Sequence, residues 1–193
     1  GQNLFANCLL ALDAATGKRK WHFQFIHHDV WDWDLPTAPA LVTIKKDGKN
    51  IEAVAQTTKH GMVYVFERET GNPVYSISEM PVDTATELVG EKLWPSQPIA
   101  TVIKPFVRQS FTENDSNTYL PDASIAKIKN DLKGYRYGKM FIPPGKQTVV
   151  QLPGLDGGAE WGGPSFDPET NMLYVNANEM GWLMTIRDNK PDV

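Results

Sequence analysis

The sequence predicts an all-β fold, a partial β-propeller with one short inserted helix. The main observation is a repeated unit that consists of a strand, an acidic residue, a Thr-Gly turn and an aromatic strand. Its two copies place their turn glycines at Gly17 and Gly71, 54 residues apart. Units of four short strands that recur at about 40–50 residues are typical of propeller blades. Only one segment has helical periodicity, so the helix is predicted as an insertion in a strand-rich chain.

The composition is that of an ordinary globular protein and excludes several other classes. Of the 193 residues, 41% are hydrophobic and 22% are charged, which is close to the average. The net charge of -4 comes without a basic run, so nucleic acid is not expected as a partner. No apolar stretch approaches the roughly 18 residues that a membrane span requires. Cys8 is the single cysteine, which excludes an internal disulfide and a cysteine-based metal cluster.

The first unit is predicted as two strands joined by a turn. The apolar segment 4–12 forms the first strand, and the alternating segment 21–25 forms the second. Asp13 and Thr16 can hydrogen-bond the local backbone, and Gly17 can adopt a positive φ. The chain is therefore expected to reverse between the two strands.

Short apolar runs continue the strand pattern into a second and a third unit. Segments 40–44 and 51–55 flank Asp47-Gly48, a dipeptide that favours a two-residue hairpin turn. A strand, a turn and a strand recur over residues 166–177. We therefore expect at least two complete four-stranded blades and the beginning of a third.

The segment from about 80 to 160 interrupts this pattern within a single domain that covers residues 1–193. It is rich in proline, serine and threonine and is predicted to be mostly loop, which at this length is usually functional. It contains one predicted helix at about 123–133, which ends at Gly134. The candidates for the N-cap are Asp122 and Ser124, and the apolar stripe consists of Ile125, Ile128 and Leu132.

The stretch from His27 to Pro36 carries the densest group of chemically active side chains. In an extended chain, alternate side chains share a face. One face would carry His28, Asp32 and Asp34, and the other would carry His27, Asp29, Trp31 and Trp33. Concentrated carboxylates beside a dry wall of indoles suit a metal site or a general base. From composition alone, a polar loop with two tryptophans docked on a neighbouring strand explains the stretch equally well.

Several motifs carry a resemblance to a known family. They are Ala11-x-Asp13-x-x-Thr16-Gly17-x-x-x-Trp21, the runs His28–Asp32 and Lys59–Gly71, and the segments 158–163 and 173–178. The first is similar to a tryptophan-docking motif, the second to a catalytic strand, and the others to segments that follow it. The chain resembles the quinoprotein dehydrogenases, eight-bladed propellers that oxidise alcohols or sugars with pyrroloquinoline quinone (PQQ).

The resemblance implies a cofactor site. It implies that Asp32 is the catalytic base and that Lys59 contacts the quinone. Trp161 is implied as a stacking partner of the cofactor, and Asn178 as a further contact. Asp32 and Asp34 are the implied metal ligands, with Ca²⁺ as the metal and a lanthanide or Mg²⁺ as alternatives.

The resemblance also indicates a branch of the family and its partners. Lys59, with Leu35 and Pro36 after the acidic run, favours the membrane glucose dehydrogenase branch. The substrate is then an alcohol or sugar, and the electron acceptor is ubiquinone or cytochrome c. The expected location is the periplasm or the membrane surface that faces it. His28 is a candidate for orienting Asp32, although a histidine with only a structural role fits the pattern as well.

Two features of the resemblance limit what the chain is expected to do alone. The chain covers about half of an eight-bladed ring, and the family's glutamate and asparagine metal ligands would precede Gly1. We therefore expect no dehydrogenase activity and weak PQQ binding from this chain alone, and self-association through open blade edges. The alternative function is a propeller interaction module without chemistry. Such a module needs neither Asp32 nor Lys59, so the enzyme is favoured.

Overall fold

The computed structural model describes residues 1–188 and confirms a strand-rich fold with an inserted helix. The strands are β1 (Cys8–Leu12), β2 (Arg19–Gln24), β3 (Ala40–Lys46), β4 (Lys49–Thr57), β5 (Val63–Glu67), β6 (Ile77–Pro81), β7 (Ser96–Ala100), β8 (Val149–Gln151), β9 (Pro164–Asp167), β10 (Met172–Val175) and β11 (Trp182–Met184). The helix is α1 (Asp122–Leu132), and a short 3₁₀ helix lies at Glu113–Asp115. Within the described residues, no helix is long and apolar enough to span a bilayer.

All strand pairs are antiparallel and form small sheets. Strands β3, β4 and β5 form a three-stranded sheet, and the other sheets are the pairs β1–β2, β6–β7, β9–β10 and β8–β11. Strands that follow each other in sequence are neighbours in every sheet except β8–β11. Such local pairing is the usual result when short strands are joined by short connections.

The hairpin between β3 and β4 has the predicted turn. Lys46 pairs with Lys49, and the two residues between them, Asp47 and Gly48, have φ values of 51° and 76°. Two positive φ values define a type I′ turn, whose twist matches the twist of the flanking strands. The Asp-Gly dipeptide therefore sets the register of this sheet.

The same side-chain turn occurs in three sheets, which confirms the internal repeat. In each copy a threonine hydroxyl donates to an acidic side chain three residues earlier, in the pairs Thr16–Asp13, Thr70–Glu67 and Thr170–Asp167. The next residue has a positive φ in all three, namely Gly17, Gly71 and Asn171. Asparagine tolerates this conformation better than most residues with a Cβ atom, so the third copy keeps the turn without glycine.

Trp21 links the first sheet to the second. Its indole lies so close to Gly71 that a Cβ atom at that position would be 2.6 Å from the ring. The indole Nε1 donates to the carbonyl of Arg68 at 3.0 Å. The aromatic strand of the β1–β2 hairpin therefore docks on the turn of the next unit, as the motif predicts. Tyr75, at the same position of the second copy, lines a cavity of about 360 Å³ with Asn171.

An aromatic core lies under the loop that follows β2. Phe25 meets Tyr64 edge-on at a centroid distance of 4.9 Å and Phe66 at 6.0 Å. Trp31 and Trp33 belong to the same buried cluster. Complete burial of a large apolar side chain contributes roughly 1.5–3 kcal/mol, so this cluster fixes the loop to the scaffold.

The segment 80–160 contains strands at both ends, where the sequence predicted mostly loop. Strand β6 ends inside it and pairs with β7, and β8 pairs with the distant β11. Strand β7 includes Pro98, and β8 has only three residues. Neither is long and regular enough to produce a recognisable alternation.

The expectation of two complete blades is wrong for the part of the chain that the structure describes. No sheet within residues 1–188 reaches four strands. The β3–β5 sheet comes nearest, because an isolated bridge joins Phe66 to Pro73 at its edge. Two backbone hydrogen bonds flank this bridge, from the N–H of Glu67 to the carbonyl of Asn72 and from the N–H of Val74 to the carbonyl of Val65, and the pairing does not extend into a fourth strand.

Helix α1 has the predicted position and different caps. It begins at Asp122 and ends at Leu132, which is its one buried residue. The carbonyl of Pro121 accepts the N–H groups of Ser124 and Ile125, and no side chain caps the first turn. Backbone groups thus supply the cap that was expected from Asp122 or Ser124. Lys133, one residue before the expected Gly134, is the C-cap.

Candidate active site

Three of the predicted site residues, Asp32, Asp34 and Lys59, meet at the loop between β2 and β3, residues 25–39, which we call the acidic loop. It is not a strand. His28 and Asp32 have positive φ values of 49° and 61°, a left-handed conformation that is incompatible with regular extended pairing. The expectation of an extended catalytic strand is therefore wrong.

Asp29 gives the acidic loop its shape. Its Oδ1 accepts the N–H of Trp31 at 2.8 Å, and its Oδ2 accepts the N–H of Trp33 at 2.8 Å. Asn7 donates its side-chain amide to the same Oδ2 at 2.9 Å. A side chain thus supplies the hydrogen bonds that a neighbouring strand would otherwise make. Burial raises the pKa of Asp29, and the three donated hydrogen bonds oppose that rise.

Trp31 and Trp33 form the buried side of the acidic loop. They are 1% and 0% exposed, and their rings stack with a centroid distance of 5.6 Å and an interplanar angle of 20°. Each indole N–H has a partner, namely the carbonyls of Ile142 at 2.9 Å and Gly154 at 3.2 Å. The predicted burial of both indoles is confirmed. Asp32 and Asp34 consequently project to the exposed side of the loop.

His28 does not join the two exposed carboxylates. Its Nδ1 lies 2.6 Å from the carbonyl oxygen of Gly1, and its Nε2 lies 2.6 Å from Oε1 of Glu91. The positive φ at His28 turns its side chain away from the face on which strict alternation would place it. The candidate role of orienting Asp32 is therefore not supported, because both ring nitrogens are occupied elsewhere.

Lys59 comes from the turn between β4 and β5 and meets both aspartates. Its Nζ lies 2.5 Å from Oδ1 of Asp34 and 3.5 Å from Oδ2 of Asp32. It also donates to the backbone carbonyl of Asp32 at 3.1 Å. The lysine is only 7% exposed, whereas the side chain of Asp32 is 66% exposed. The ammonium therefore forms the floor of the site, and Asp32 is open to solvent.

Glu160 is a third carboxylate beside Lys59 that the sequence did not reveal as a site residue. Its Oε1 lies 3.7 Å from the Nζ of Lys59, and Thr37 Oγ1 donates to its backbone carbonyl at 3.1 Å. The one available signal was its place directly before Trp161 in the segment 158–163. Three carboxylates around one ammonium leave an excess of negative charge at this point of the surface.

The charge of Lys59 is secured by these neighbours. Burial lowers the pKa of the ammonium, but the hydrogen bond and charge of Asp34, followed by the charges of Asp32 and Glu160, raise it further. The net result is a pKa above the ordinary value of lysine. Lys59 is therefore a fixed cation that can donate hydrogen bonds at any physiological pH.

The segments of Lys59, Gly158 and Asn178 lie side by side. The N–H of Gly158 donates to the carbonyl of Lys59, and the N–H of Asn178 donates to the carbonyl of Gly158 at 3.0 Å. Gly157, at φ +69°, makes this contact possible, since a Cβ atom there would overlap the side chain of Lys59. Backbone hydrogen bonds thus join three segments that are far apart in the sequence.

Asn178 and Trp161 occupy the rim of the same region. Asn178 is half-buried and, with Glu160 and Asn176, lines a cavity of about 130 Å³. Trp161 is 83% exposed, so its indole presents a free aromatic face to solvent. Their roles in cofactor binding remain predictions.

Metal ligation by this chain is limited to a partial set. Among residues 1–188, no group of three or more His, Cys, Asp or Glu side chains is arranged to hold a metal ion. Asp32 and Asp34 supply carboxylate oxygens, which are ligands that Ca²⁺ prefers, and both face Lys59. A complete coordination shell thus needs ligands beyond these two.

Comparison with known proteins identifies the family. A sequence profile described as "PQQ: Glucose/ethanol/alcohol dehydrogenase, beta-propeller domain" matches residues 1–192. The chain belongs to this family. Within it, the quinate/shikimate dehydrogenase (quinone) of Acinetobacter baylyi is 36% identical over 96% of this chain and 23% of the relative. The quinoprotein glucose dehydrogenase A of Acinetobacter calcoaceticus is 32% identical over 89% of this chain and 22% of the relative.

The structural comparison agrees with the propeller domain of this PQQ family. A europium-containing methanol dehydrogenase superposes with a TM-score of 0.59 at 20% identity, covering 94% of this chain and 25% of that structure. At this identity the likeness concerns the fold alone. The chain spans less than a quarter of the length of the two dehydrogenases compared by sequence, so it corresponds to a part of their propeller and is a partial propeller itself.

Proposed function

We propose that the chain is part of a PQQ-dependent dehydrogenase that oxidises an alcohol or sugar by hydride transfer to the quinone. The observation that carries the proposal is the contact of Lys59 with Asp32 and Asp34 on the exposed side of the acidic loop. The pair Asp32 and Lys59 combines an accessible base with a fixed hydrogen-bond donor. An interaction module would need neither, so the geometry favours the enzyme over a scaffold.

Asp32 acts as the general base. Oxidation of an alcohol by hydride loss requires a group that takes the hydroxyl proton. The Asp32 carboxylate is accessible to a substrate, and its backbone carbonyl is held by Lys59 at 3.1 Å. Its Oδ2 faces the ammonium at 3.5 Å, which leaves Oδ1 for the substrate hydroxyl.

Lys59 stabilises negative charge that develops on the cofactor. When bound, PQQ supplies the electrophilic carbonyl carbon that receives the hydride, and a cation polarises that carbonyl. Lys59 provides a donor that needs no reorganisation, because Asp34 and Glu160 hold it in place. One preorganised donor of this kind is typically worth about 3–4 kcal/mol of the activation barrier.

The residues present fit an anionic quinone together with a hard cation. Asp32, Asp34 and Glu160 are oxygen donors in excess over one ammonium, which suits Ca²⁺, a lanthanide or Mg²⁺. We propose Asp32 and Asp34 as the metal ligands of this chain. Trp161 offers an aromatic face for stacking, and Asn178 an amide at the rim.

The substrate class and partners follow the relatives. Their names include quinate, shikimate and glucose, which are compounds with several secondary alcohols, so we propose a cyclic polyol or sugar as substrate. The electron acceptor is ubiquinone or cytochrome c, and the location is the periplasm or the membrane surface that faces it. The name of the quinate/shikimate relative includes a quinone, which supports the first acceptor.

Reconstitution tests the proposal. The gene that encodes this chain is expressed in full, and the product is loaded with PQQ and with Ca²⁺ or a lanthanide. We expect dye reduction with quinate or glucose that requires both additions and is lost in Lys59→Ala. Lys127→Ala, which removes an exposed lysine of α1, is the control and should retain activity. Turnover without PQQ, or full activity in Lys59→Ala, would exclude the proposed chemistry.

The isolated chain provides a second test. A propeller cofactor site draws ligands from many blades, and residues 1–193 supply only part of them. An open partial ring also loses the dry cavity in which electrostatic stabilisation is strong. We expect no turnover and weak PQQ binding by isothermal titration in the presence of Ca²⁺. Submicromolar binding with turnover would mean that these residues already form the complete site.

A further inference from the structure

The segment Phe106–Gln109, which we call the clasp, contacts three strips of the candidate site, namely the Lys59 turn, the Gly158 strip and the end of the Asn178 segment. The N–H of Phe106 donates to the carbonyl of Gly61 at 2.9 Å. Gln109 donates its side-chain amide to the carbonyl of His60 at 3.0 Å. Two residues of the clasp therefore hold the turn that carries Lys59. The clasp lies in the long connection between β7 and α1, outside the segments that carry the family's motifs.

Val107 wedges the clasp between two glycines. It is 5% exposed, and its Cγ2 lies where a side chain at Gly61 or Gly158 would stand. A Cβ atom at Gly61 would overlap this methyl group, and one at Gly158 would be 2.9 Å away. The fit requires glycine at both positions, so the clasp packs on the backbone of the Lys59 turn and of the Gly158 strip at once.

Arg108 connects the clasp to the third strip. Its backbone N–H donates to Oε1 of Glu179 at 2.7 Å, and its Nε donates to Oε2 of the same carboxylate at 2.8 Å. Its Nη1 donates to Asp115 at 2.7 Å, so the guanidinium is itself held. Glu179 directly follows Asn178, whose N–H pairs with Gly158. Arg108 thus ties the end of the Asn178 segment to the same body that holds Lys59.

We propose that Arg108 is a positioning residue, which, through Glu179, fixes the Asn178 segment against the Lys59 turn. The proposal rests on the proposed function, because it assumes that Lys59 and Asn178 contact the cofactor. Arg108 itself touches neither cofactor nor substrate. It sets the distance between the two strips that do.

The effect is expected on cofactor binding and little on global stability. Arg108 and Glu179 are both close to half exposed, and exposed ion pairs contribute little to folding stability. A shift of about 1 Å in a supporting contact is nonetheless enough to impair a site. A loss of cofactor binding without a loss of global stability therefore separates a positioning role from simple stabilisation.

The test uses the full gene product with Arg108→Gln, Glu179→Gln and the double variant. Hydrogen exchange, followed by mass spectrometry on the peptide that contains Asn178, is measured without cofactor. PQQ affinity is then measured by titration in Ca²⁺. We expect each single change to accelerate exchange in that peptide and to weaken PQQ binding about tenfold, with little further loss in the double variant. Arg108→Lys keeps the charge but loses the paired donors, so it should rescue binding only in part.

Lys20→Gln is the matched control, since it removes another exposed ion pair, with Glu69 at 2.7 Å. It should leave both readouts unchanged. If Arg108→Gln behaves like Lys20→Gln while Lys59→Ala abolishes PQQ binding, the clasp proposal is overturned and the proposed function stands. If Lys59→Ala retains full activity, the proposed function itself is wrong. A general loss of melting temperature with faster exchange throughout the protein would reduce Arg108 to a stabilising residue and also overturn the proposal.

Discussion

Two carboxylates of the acidic loop, Asp29 and Asp32, are three residues apart and have opposite environments. Asp29 is largely buried and accepts hydrogen bonds from Asn7 and from two backbone N–H groups. Asp32 is exposed, and its one ion-pair partner among residues 1–188 is Lys59. A carboxylate whose lone pairs are occupied by fixed donors shapes the chain, whereas one that is exposed beside a single cation remains available for chemistry.

The same contrast separates Lys59 from its neighbour His60. Lys59 faces the carboxylates, and its pKa is raised. His60 is fully buried and does not face the carboxylates, and burial lowers its pKa to about 3. Its Nε2 lies 2.9 Å from the hydroxyl of Tyr64, which donates to the carbonyl of Pro98. The site therefore consists of a charged exposed layer supported by a neutral buried layer, and each layer makes separate predictions.

The largest expected effect is on the buried layer. Trp33→Ala removes a fully buried indole and its hydrogen bond to Gly154, and we expect a loss of about 3–5 kcal/mol in the free energy of unfolding. Urea denaturation of the full gene product measures it. Trp161→Ala, which truncates an exposed indole, should change stability by less than about 0.5 kcal/mol. Equal losses in both variants would remove the distinction between the layers.

Asp29→Ala tests the shaping carboxylate. The change leaves the N–H groups of Trp31 and Trp33 without their acceptor, while Asn7 keeps its hydrogen bond to the carbonyl of Trp33 at 3.2 Å, and we expect a cost of about 2 kcal/mol. Asp34→Asn, on the exposed side, keeps an oxygen acceptor for Lys59 and should cost less than about 1 kcal/mol. The same denaturation measurement compares them, and a reversed order would contradict the assignment of Asp29 as the residue that shapes the loop.

His60 predicts an acid dependence of stability. Because its pKa is about 3 in the folded protein and 6.5 for an unperturbed histidine, the unfolded chain binds a proton that the folded chain does not. The contribution of His60 to stability is therefore complete above pH 6.5 and is lost as the pH falls towards 3, by up to about 1.4 kcal/mol per pH unit. His60→Gln should flatten the dependence of the unfolding free energy on pH between about 6 and 4. An unchanged slope would show that His60 is not buried in its neutral form.

The sequence predicted much of the fold because its signals were local. The Asp47-Gly48 turn, the repeated Thr-Gly turns and helix α1 each depend on residues within a few positions of one another. The short strands β7 and β8 were missed, because their own residues show no recognisable strand pattern. They are strands because they pair with other segments of the chain. The three-residue strand β8 is defined by its contact with β11, which no local window contains.

The sequence named Asp32, Asp34 and Lys59 as candidates, and the structure brings these three together in a geometry that the sequence did not predict. Alternation placed Trp31 and Trp33 opposite Asp32 and Asp34, and burial agrees with that division. It failed at His28, because a positive φ resets the alternation and no local pattern indicates it. Glu160 was missed because its proximity to Lys59 depends on the packing of Gly157, a contact between distant segments.

The most direct test of the central claim is turnover and PQQ binding in Asp32→Asn of the reconstituted full gene product. The substitution keeps the shape of the side chain and removes its ability to accept a proton. If Asp32 is the base, turnover should fall by about 10²–10⁴-fold, while PQQ affinity in the presence of Ca²⁺ stays within a few-fold of the parent protein. Parental turnover in Asp32→Asn would contradict the assignment, and so would loss of PQQ binding that by itself accounts for the lost activity.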